Sequence, residues 1–390
     1  MDEREFDIVV YGSTGFTGRL VAEYLNGNYG DDIKWAMAGR SEDKLKTVRD
    51  ETGMSEDIPL VVADSDRPET LADMAARTGV VLTTVGPYQL YGTDVVKACV
   101  EAGTDYVDLS GEPAWMHDMI GDFDARARET CARIVHSCGF DSIPFDLGVY
   151  YIQQAAREKF GTPCSRVRGR VRKVKGTFSG GTAASFMQTM RRARQQPEVL
   201  DWLRDPFSLV PYFSGPPQPT GHKPVYEDDL NSWSAPFIMA STNTKNVHRS
   251  NALMGHTYGK DFVYDEMMLT GPGDKGEQMA YLITNDKSMA ENTLKPGEGP
   301  SKEERETGFY DIMFVGETEK GERVIGAVTG DKDPGYGSTS KMITESALCL
   351  AQDVARYVVG GGVYTPAPVM AKPLIARLTE NAGLKFSIEA

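Results

Sequence analysis

Residues 6–19, FDIVVYGSTGFTGR, constrain the fold more than any other stretch of the chain. An apolar strand runs straight into Gly12, Gly15 and Gly18, and the last glycine opens a segment with helical spacing. Each glycine has its own task. The first lets the chain turn sharply off the strand, the second lets backbone amides approach a pyrophosphate, and the third lets the helix pack closely on the sheet. The helix N-terminus then offers unpaired N–H groups and the positive end of its dipole to a phosphate. The spacing is G-x-x-G-x-x-G rather than the commoner G-x-G-x-x-G, but a preceding strand and a following helix supply the context in which such a run binds a dinucleotide. Gly12, Ser13, Thr14, Gly15, Phe16, Thr17 and Gly18 are the candidate cradle. The competing reading is a glycine turn in a parallel sheet that holds no ligand.

The second strand, read as Ile33 to Ala38, should end beside the adenosine ribose. A site specific for NAD places an acidic residue there to hold the 2′-hydroxyl. This strand instead ends in Gly39, Arg40 and Ser41, with Lys44 a turn further on. Arg40 can stack on adenine and give forked hydrogen bonds to a 2′-phosphate, and Ser41 can add a hydroxyl. The expected cofactor is NADP. Arg40 and Lys44 could otherwise be solvated charges at a helix start. Asp64, after the third strand, falls near the adenine edge or at a surface turn.

Short apolar strands alternate with helical segments over residues 1–150, the pattern of parallel βαβ units covered on both faces. The six strands, Phe6–Val10, Ile33–Ala38, Pro59–Ala63, Val80–Val85, Tyr106–Leu109 and Arg133–His136, predict an α/β class, a Rossmann-type doubly wound parallel sheet. A second α+β domain over residues 151–335 is expected to be inserted before a C-terminal helical return, residues 336–390, that packs back on the first domain. In the inserted part, Arg166–Lys175 alternates like a strand, Ala183–Gln195 reads as a helix, and the region around Pro206–Pro224 is proline-rich. Phe262–Thr270 with Met279–Thr284, and Tyr310–Glu317 with Arg323–Thr329, read as antiparallel hairpins. Residues 295–308 read as an exposed polar loop with a short helix. Ser338–Val358 is apolar on more than one face, which predicts a helix buried between the domains.

Composition removes several classes of function. The 42 Lys and Arg against 56 Asp and Glu give a net charge of −14, which disfavours nucleic acid or an anionic membrane as a bulk partner. Five cysteines without a C-x-x-C pair indicate neither a disulfide framework nor a zinc site, and a reducing cytoplasm fits. His222, His248 and His256 have no metal-ligand spacing, so no metal is expected. No apolar run reaches transmembrane length.

Six blocks along the chain carry a resemblance: GSTGFTGR, TTVGPYQLYG, YVDLSGE, CGFDSIPFDLG, SGGTAAS, and DPGYGSTSKMITESALCLA with GGVYTPA. Together they resemble the saccharopine dehydrogenase-like oxidoreductases, in particular the branch of trans-acting enoyl reductases. The resemblance covers most of the chain and is weakest over residues 197–300. It implies a Rossmann domain with a discontinuous partner, NADPH as cofactor, and reduction of a carbon–carbon double bond in a lipid-like, isoprenoid-like or carrier-bound acyl chain. Peripheral membrane contact, and by analogy a homodimer through the second domain's sheet, remain open.

In an open parallel sheet the ligand lies over the carboxyl ends of the strands, where strand order reverses. Gly86 and Pro87, after the fourth strand, would let the backbone run flat past the nicotinamide and its ribose. Hydride addition to an enoyl carbonyl compound leaves charge on an enolate oxygen and an α-carbon in need of a proton. Tyr88, Tyr91 and Asp141 are the candidate catalytic residues. Tyr88 could equally be a packed aromatic, and Asp141 or Ser142 could cap the helix that Pro144 opens. Burial of Asp141 would raise its pKa and make it a usable acid. The turn SGGT at residues 179–182 could hold an anionic substrate group or be a glycine turn capped by Thr182. His136 and Cys138 lie two apart, a spacing more typical of side chains pointing into a sheet face than of a nucleophilic pair. Alternatives to the reductase are a saccharopine-type amino-acid dehydrogenase, for which Arg191, Arg192 and Arg194 could hold substrate carboxylates, and a non-catalytic NADP-binding or lipid-surface protein.

Overall fold

A computed structural model describes residues 4–30, 32–176, 180–286 and 298–390. The first part supplies strands β1 (Phe6–Tyr11), β2 (Trp35–Gly39), β3 (Leu60–Val62), β4 (Thr78–Thr83), β5 (Asp105–Val107) and β6 (Arg133–Val135). The rest supplies β7 (Arg166–Lys175), β8 (Val225–Glu227), β9 (Ser232–Pro236), β10 (Val263–Gly271), β11 (Phe309–Glu317), β12 (Arg323–Gly330), β13 (Gly362–Tyr364) and β14 (Leu384–Ile388). The first sheet has the order β13-β6-β5-β4-β1-β2-β3, and every pairing is parallel. Its strands are buried on both faces, which is why they read as nearly unbroken apolar runs. Strand order reverses between β1 and β4, so the loops after these two strands part there and leave a crevice.

The second sheet has the order β14-β12-β11-β7-β10-β9-β8. β7 and β10 pair in parallel and the other neighbours are antiparallel. One face packs on the helices Ile143–Phe160, Ala240–Leu253 and Pro366–Asn381. The approach is close: a Cβ on Gly148 would sit 2.4 Å from the Phe314 ring. Residues 336–390 contribute to both sheets, β13 beside β6 and β14 beside β12. Arg133 ties this return to the first sheet from a fully buried position, pairing with Asp105 at 2.5 Å and donating to the carbonyls of Leu350 and Val354. Among the described residues, no helix is long and apolar enough to cross a membrane.

Two sequence expectations are corrected. Met279–Thr284 is no hairpin partner of β10: Gly273–Thr284 is a helix that buries Gly276 and Ala280, four apart, against β9 and β10. Its exposed Met279, Tyr281 and Leu282 supply the apolar run that mimics a strand. The buried helix after Ser338 runs only over Thr339–Leu348, between wider turns at Pro334–Ser338 and Cys349–Asp353. Asp333 sets the first turn by accepting from the amides of Tyr336 and Gly337, and the Arg133 guanidinium draws off carbonyls at the second.

Candidate functional site

A cavity of about 900 Å³ opens where the loops after β1, β4, β5 and β6 face the second sheet's elements. The glycine run lies at one end. Gly12 has φ +98°, and a Cβ there would stand 2.8 Å from both Thr84 Oγ1 and Val85 Cγ2. A Cβ on Gly18 would stand 2.1 Å from the Gly12 carbonyl oxygen, so only hydrogen fits between helix and loop. Gly15 begins the helix Phe16–Tyr29 without a side-chain cap, and the amides of Thr14, Phe16 and Thr17 have no backbone acceptor among the described residues. Gly12, Thr14, Gly15, Phe16 and Thr17 all line the cavity. Bare amides at a helix start, on a loop with no room for side chains, fit a pyrophosphate. Ser13 and Gly18 are buried behind this surface, Ser13 Oγ donating to the Val10 carbonyl at 2.6 Å.

At the end of β2, Arg40 lines the same cavity, exposed and without an ion pair among the described residues. Asp64 lines it too, paired with Arg67 at 3.7 Å, and Tyr11 shares a 3.0 Å hydrogen bond with Ser65 beside it. Ser41 does not line the cavity. It caps the helix Glu42–Glu51, its hydroxyl accepting from the Lys44 amide.

Gly86, Pro87, Tyr88 and Tyr91 form the wall after β4. The Tyr88 hydroxyl, expected among the proton donors, is spent inside that wall: it donates to the Thr83 carbonyl and accepts from the Leu109 amide, with the ring stacked on Trp115. Burial pushes this phenol well above its ordinary range. Tyr91 is 41% exposed and its hydroxyl has no partner among the described residues.

Asp141 reaches the cavity from the loop after β6, its Oδ2 near Gly111. Ser142 is the N-cap residue of the helix Ile143–Phe160, but neither its side chain nor that of Asp141 makes a capping hydrogen bond. Ser142 Oγ instead donates to Asn243 and accepts from Asn246. Desolvation pushes the Asp141 carboxyl up to about 6, and no hydrogen bond opposes it. With the folded pKa raised above the unfolded value, the protonated form is favoured by folding, and that advantage is lost as pH rises through 6. Asp141→Asn is therefore expected to stabilise the protein by about 3 kcal/mol at pH 8, at about 1.36 kcal/mol per unit over the rise from 3.8 to about 6, and by almost nothing below about pH 3. Urea denaturation of both proteins at the two pH values checks this. Of the turn SGGT, Ser179 lies outside the described residues. Gly180 begins the helix Gly180–Gln195, its amide donating to the Tyr336 hydroxyl, and Thr182 lines the cavity.

Sequence reading missed two buried carboxylates. Asp108 fastens the loops after β5 and β6, accepting from the amides of Ser110 and Ser137, the Tyr106 hydroxyl and His136 Nδ1 at 2.7 Å. His136 and Cys138 are buried structural residues in the same wall. Glu112 accepts from Tyr88, Gln89 and Ser185. Its one local sign is its place just before Pro113, which marks a helix start but not these distant donors.

The far end of the cavity is apolar, walled by Val174, Phe186, Met190, Phe237, Met239 and Met268. Among the described lining residues, Arg40 is the single Lys, Arg or His. Fold and site together define an NADP-binding oxidoreductase whose cavity is lined by the glycine run and by apolar side chains outside the first sheet's domain. Residues 8–135 match the saccharopine dehydrogenase NADP binding domain family. Among solved structures, the chain is similar to saccharopine dehydrogenase (L-Glu forming) from Saccharomyces cerevisiae, with TM-score 0.55, 12% identity, and 99% of this chain and 100% of that chain covered. A homospermidine synthase from Legionella pneumophila in complex with NAD gives TM-score 0.52 at 8% identity, covering 99% of this chain and 91% of its own. The fold is shared with both. The chain is 42% identical to a Mycobacterium tuberculosis protein bearing the name trans-acting enoyl reductase, over 96% of each. It is 37% identical to the trans-acting enoyl reductase of Mycobacterium ulcerans, over 97% of each. It belongs to the trans-acting enoyl reductase family.

Proposed function

We propose that the protein reduces the carbon–carbon double bond of an apolar enoyl substrate, lipid-like or carrier-bound, with NADPH. The observation that carries this is the cavity's lining beyond the glycine cradle: apolar side chains such as Val174, Phe186 and Met268, no cation but Arg40 among the described lining residues, and a carboxyl, Asp141, that burial raises to about 6. NADPH, when bound, supplies the hydride. The glycine cradle and Arg40 hold it by its phosphates, and the Gly86–Tyr91 wall bounds its nicotinamide end. Hydride arrival at the β-carbon moves charge onto the enolate oxygen, which a hydroxyl such as that of Tyr91 stabilises. Asp141, in its protonated form, gives the α-carbon its proton.

A saccharopine-type amino acid carries carboxylates that need cations, and the chamber provides none among its described residues. Arg192, one candidate for that task, is already paired with Asp118 at 2.7 Å and lies over Trp202. In the preferred reading, residues 1–150 carry the cofactor, 151–335 build the chamber, and 336–390 brace both. The test uses purified protein with NADPH and a series of 2-enoyl thioesters of increasing chain length, alongside 2-oxo acids with amino acids. Saturated thioester should form, faster for longer chains, and fall off above pH 6 as Asp141 ionises. Turnover of the 2-oxo acid mixture alone would reject the proposal, and NADPH binding without turnover of either set would favour a non-catalytic binder.

A further inference from the structure

Glu112 is 1% exposed and has no cation within ion-pairing distance among the described residues. A charge so placed is costly unless hydrogen bonds replace its hydration. Four donors do so. Oε1 accepts from the Tyr88 amide at 2.7 Å and the Ser185 hydroxyl at 2.6 Å, and Oε2 accepts from the Gln89 amide at 3.0 Å and Gln89 Nε2 at 2.7 Å. Only an ionised carboxylate can accept from all four, because a glutamine would turn an NH₂ group toward two of them. Gln89 Nε2 also donates to Thr189 Oγ1 at 3.0 Å. Ser185 and Thr189 stand one turn apart on the helix Gly180–Gln195, so that helix is held to the β4 loop at two points along one face. Pro87, Tyr88, Ser185 and Thr189 all line the cavity, which puts the junction in the wall between cofactor cleft and chamber.

We infer that Glu112 is a positioning residue that locks the helix Gly180–Gln195 to the Gly86–Tyr91 wall and thereby fixes the chamber against the nicotinamide end of the cofactor. The inference rests on the NADPH reading above. Through Oε1, one atom serves both the wall and the helix. Loss of the charge frees the helix and lets the wall shift, while the phosphate cradle, held by β1 and its own helix, keeps its shape.

Equilibrium titration with two nucleotides tests this. Adenosine 2′,5′-bisphosphate reports the adenosine end alone, and NADPH reports both ends. Glu112→Gln should bind the bisphosphate within about twofold of wild type and NADPH about tenfold more weakly, the size of one lost charge-assisted hydrogen bond. Ser185→Ala should give a smaller loss, again for NADPH only, and the double variant should be no weaker than Glu112→Gln, since both cut one linkage. Equal weakening of both nucleotides, unchanged NADPH affinity, or losses that multiply in the double variant would overturn the assignment. Should Glu112→Gln fail to fold, Gln89→Ala removes the Thr189 bridge and the Nε2 contact, one of the four donor contacts, and must show the same NADPH-selective loss for the assignment to stand. A wild-type protein that binds neither nucleotide defeats the cofactor reading itself, whereas binding of both with no split in the variants defeats the lock alone.

Discussion

Gly18→Ala is expected to weaken NADPH binding by about 100-fold, the cost of displacing a binding loop by an ångström. The new Cβ would stand 2.1 Å from the Gly12 carbonyl oxygen and 2.7 Å from its carbon. Both obstacles are backbone, so no rotamer change relieves them. Either the helix Phe16–Tyr29 slides away from β1 or the Gly12–Gly15 loop moves into the space a pyrophosphate would fill. The overpacking should also lower stability by about 1–3 kcal/mol. Gly27, on the same helix, is the control: nothing lies within 4 Å of a Cβ there, and Gly27→Ala should stabilise by about 0.5–1 kcal/mol without touching affinity. Fluorescence titration with NADPH, with thermal melts alongside, measures both effects. Wild-type affinity in Gly18→Ala would mean that the close approach of helix and loop has no part in binding.

Arg40→Asp should cost about 100-fold in NADPH affinity and leave NADH within a few-fold. Arg40 is exposed on the cavity wall at the end of β2 with no ion pair to break. A charge-assisted hydrogen bond to a 2′-phosphate contributes about 1.5–3 kcal/mol, and the aspartate replaces attraction by repulsion. For NADH the same aspartate can accept from the ribose 2′-hydroxyl. Because the residue carries no fold-supporting contact among the described residues, the melting temperature should stay put. The ratio of the two dissociation constants is the measurement, and an unchanged ratio would remove Arg40 from the specificity assignment.

The first sheet was legible because parallel strands buried on both faces leave continuous apolar runs, and all six strands expected from that signal are present within two residues at either end. Gly362–Tyr364 pairs with β6, and nothing local distinguishes a three-residue strand from an extended tail. Gly273–Thr284 was misleading for a different reason. Its exposed Met279, Tyr281 and Leu282 give an apolar run whose helical face, Gly276 and Ala280, consists of small residues. Periodicity arguments detect large buried side chains and overlook small ones.

The candidate site divides along the same line. The cradle is contiguous in sequence, and its chemistry is backbone chemistry: Gly12 and Gly18, where a Cβ has no room, with Gly15 between them at the helix start. Such constraints act within a few residues, so the sequence by itself determined the glycine run at the end of the first strand and the exposed cation, Arg40, at the end of the second. The carboxylates were decided elsewhere. Asp141 and Glu112 are both acids on loops next to a proline-opened helix, yet Asp141 is raised to about 6 in a site without donors while Glu112 is surrounded by four. What separates the two carboxyls is the number of N–H and O–H groups brought to them from the loop after β4 and from the helix Gly180–Gln195, and only the tertiary structure brings them.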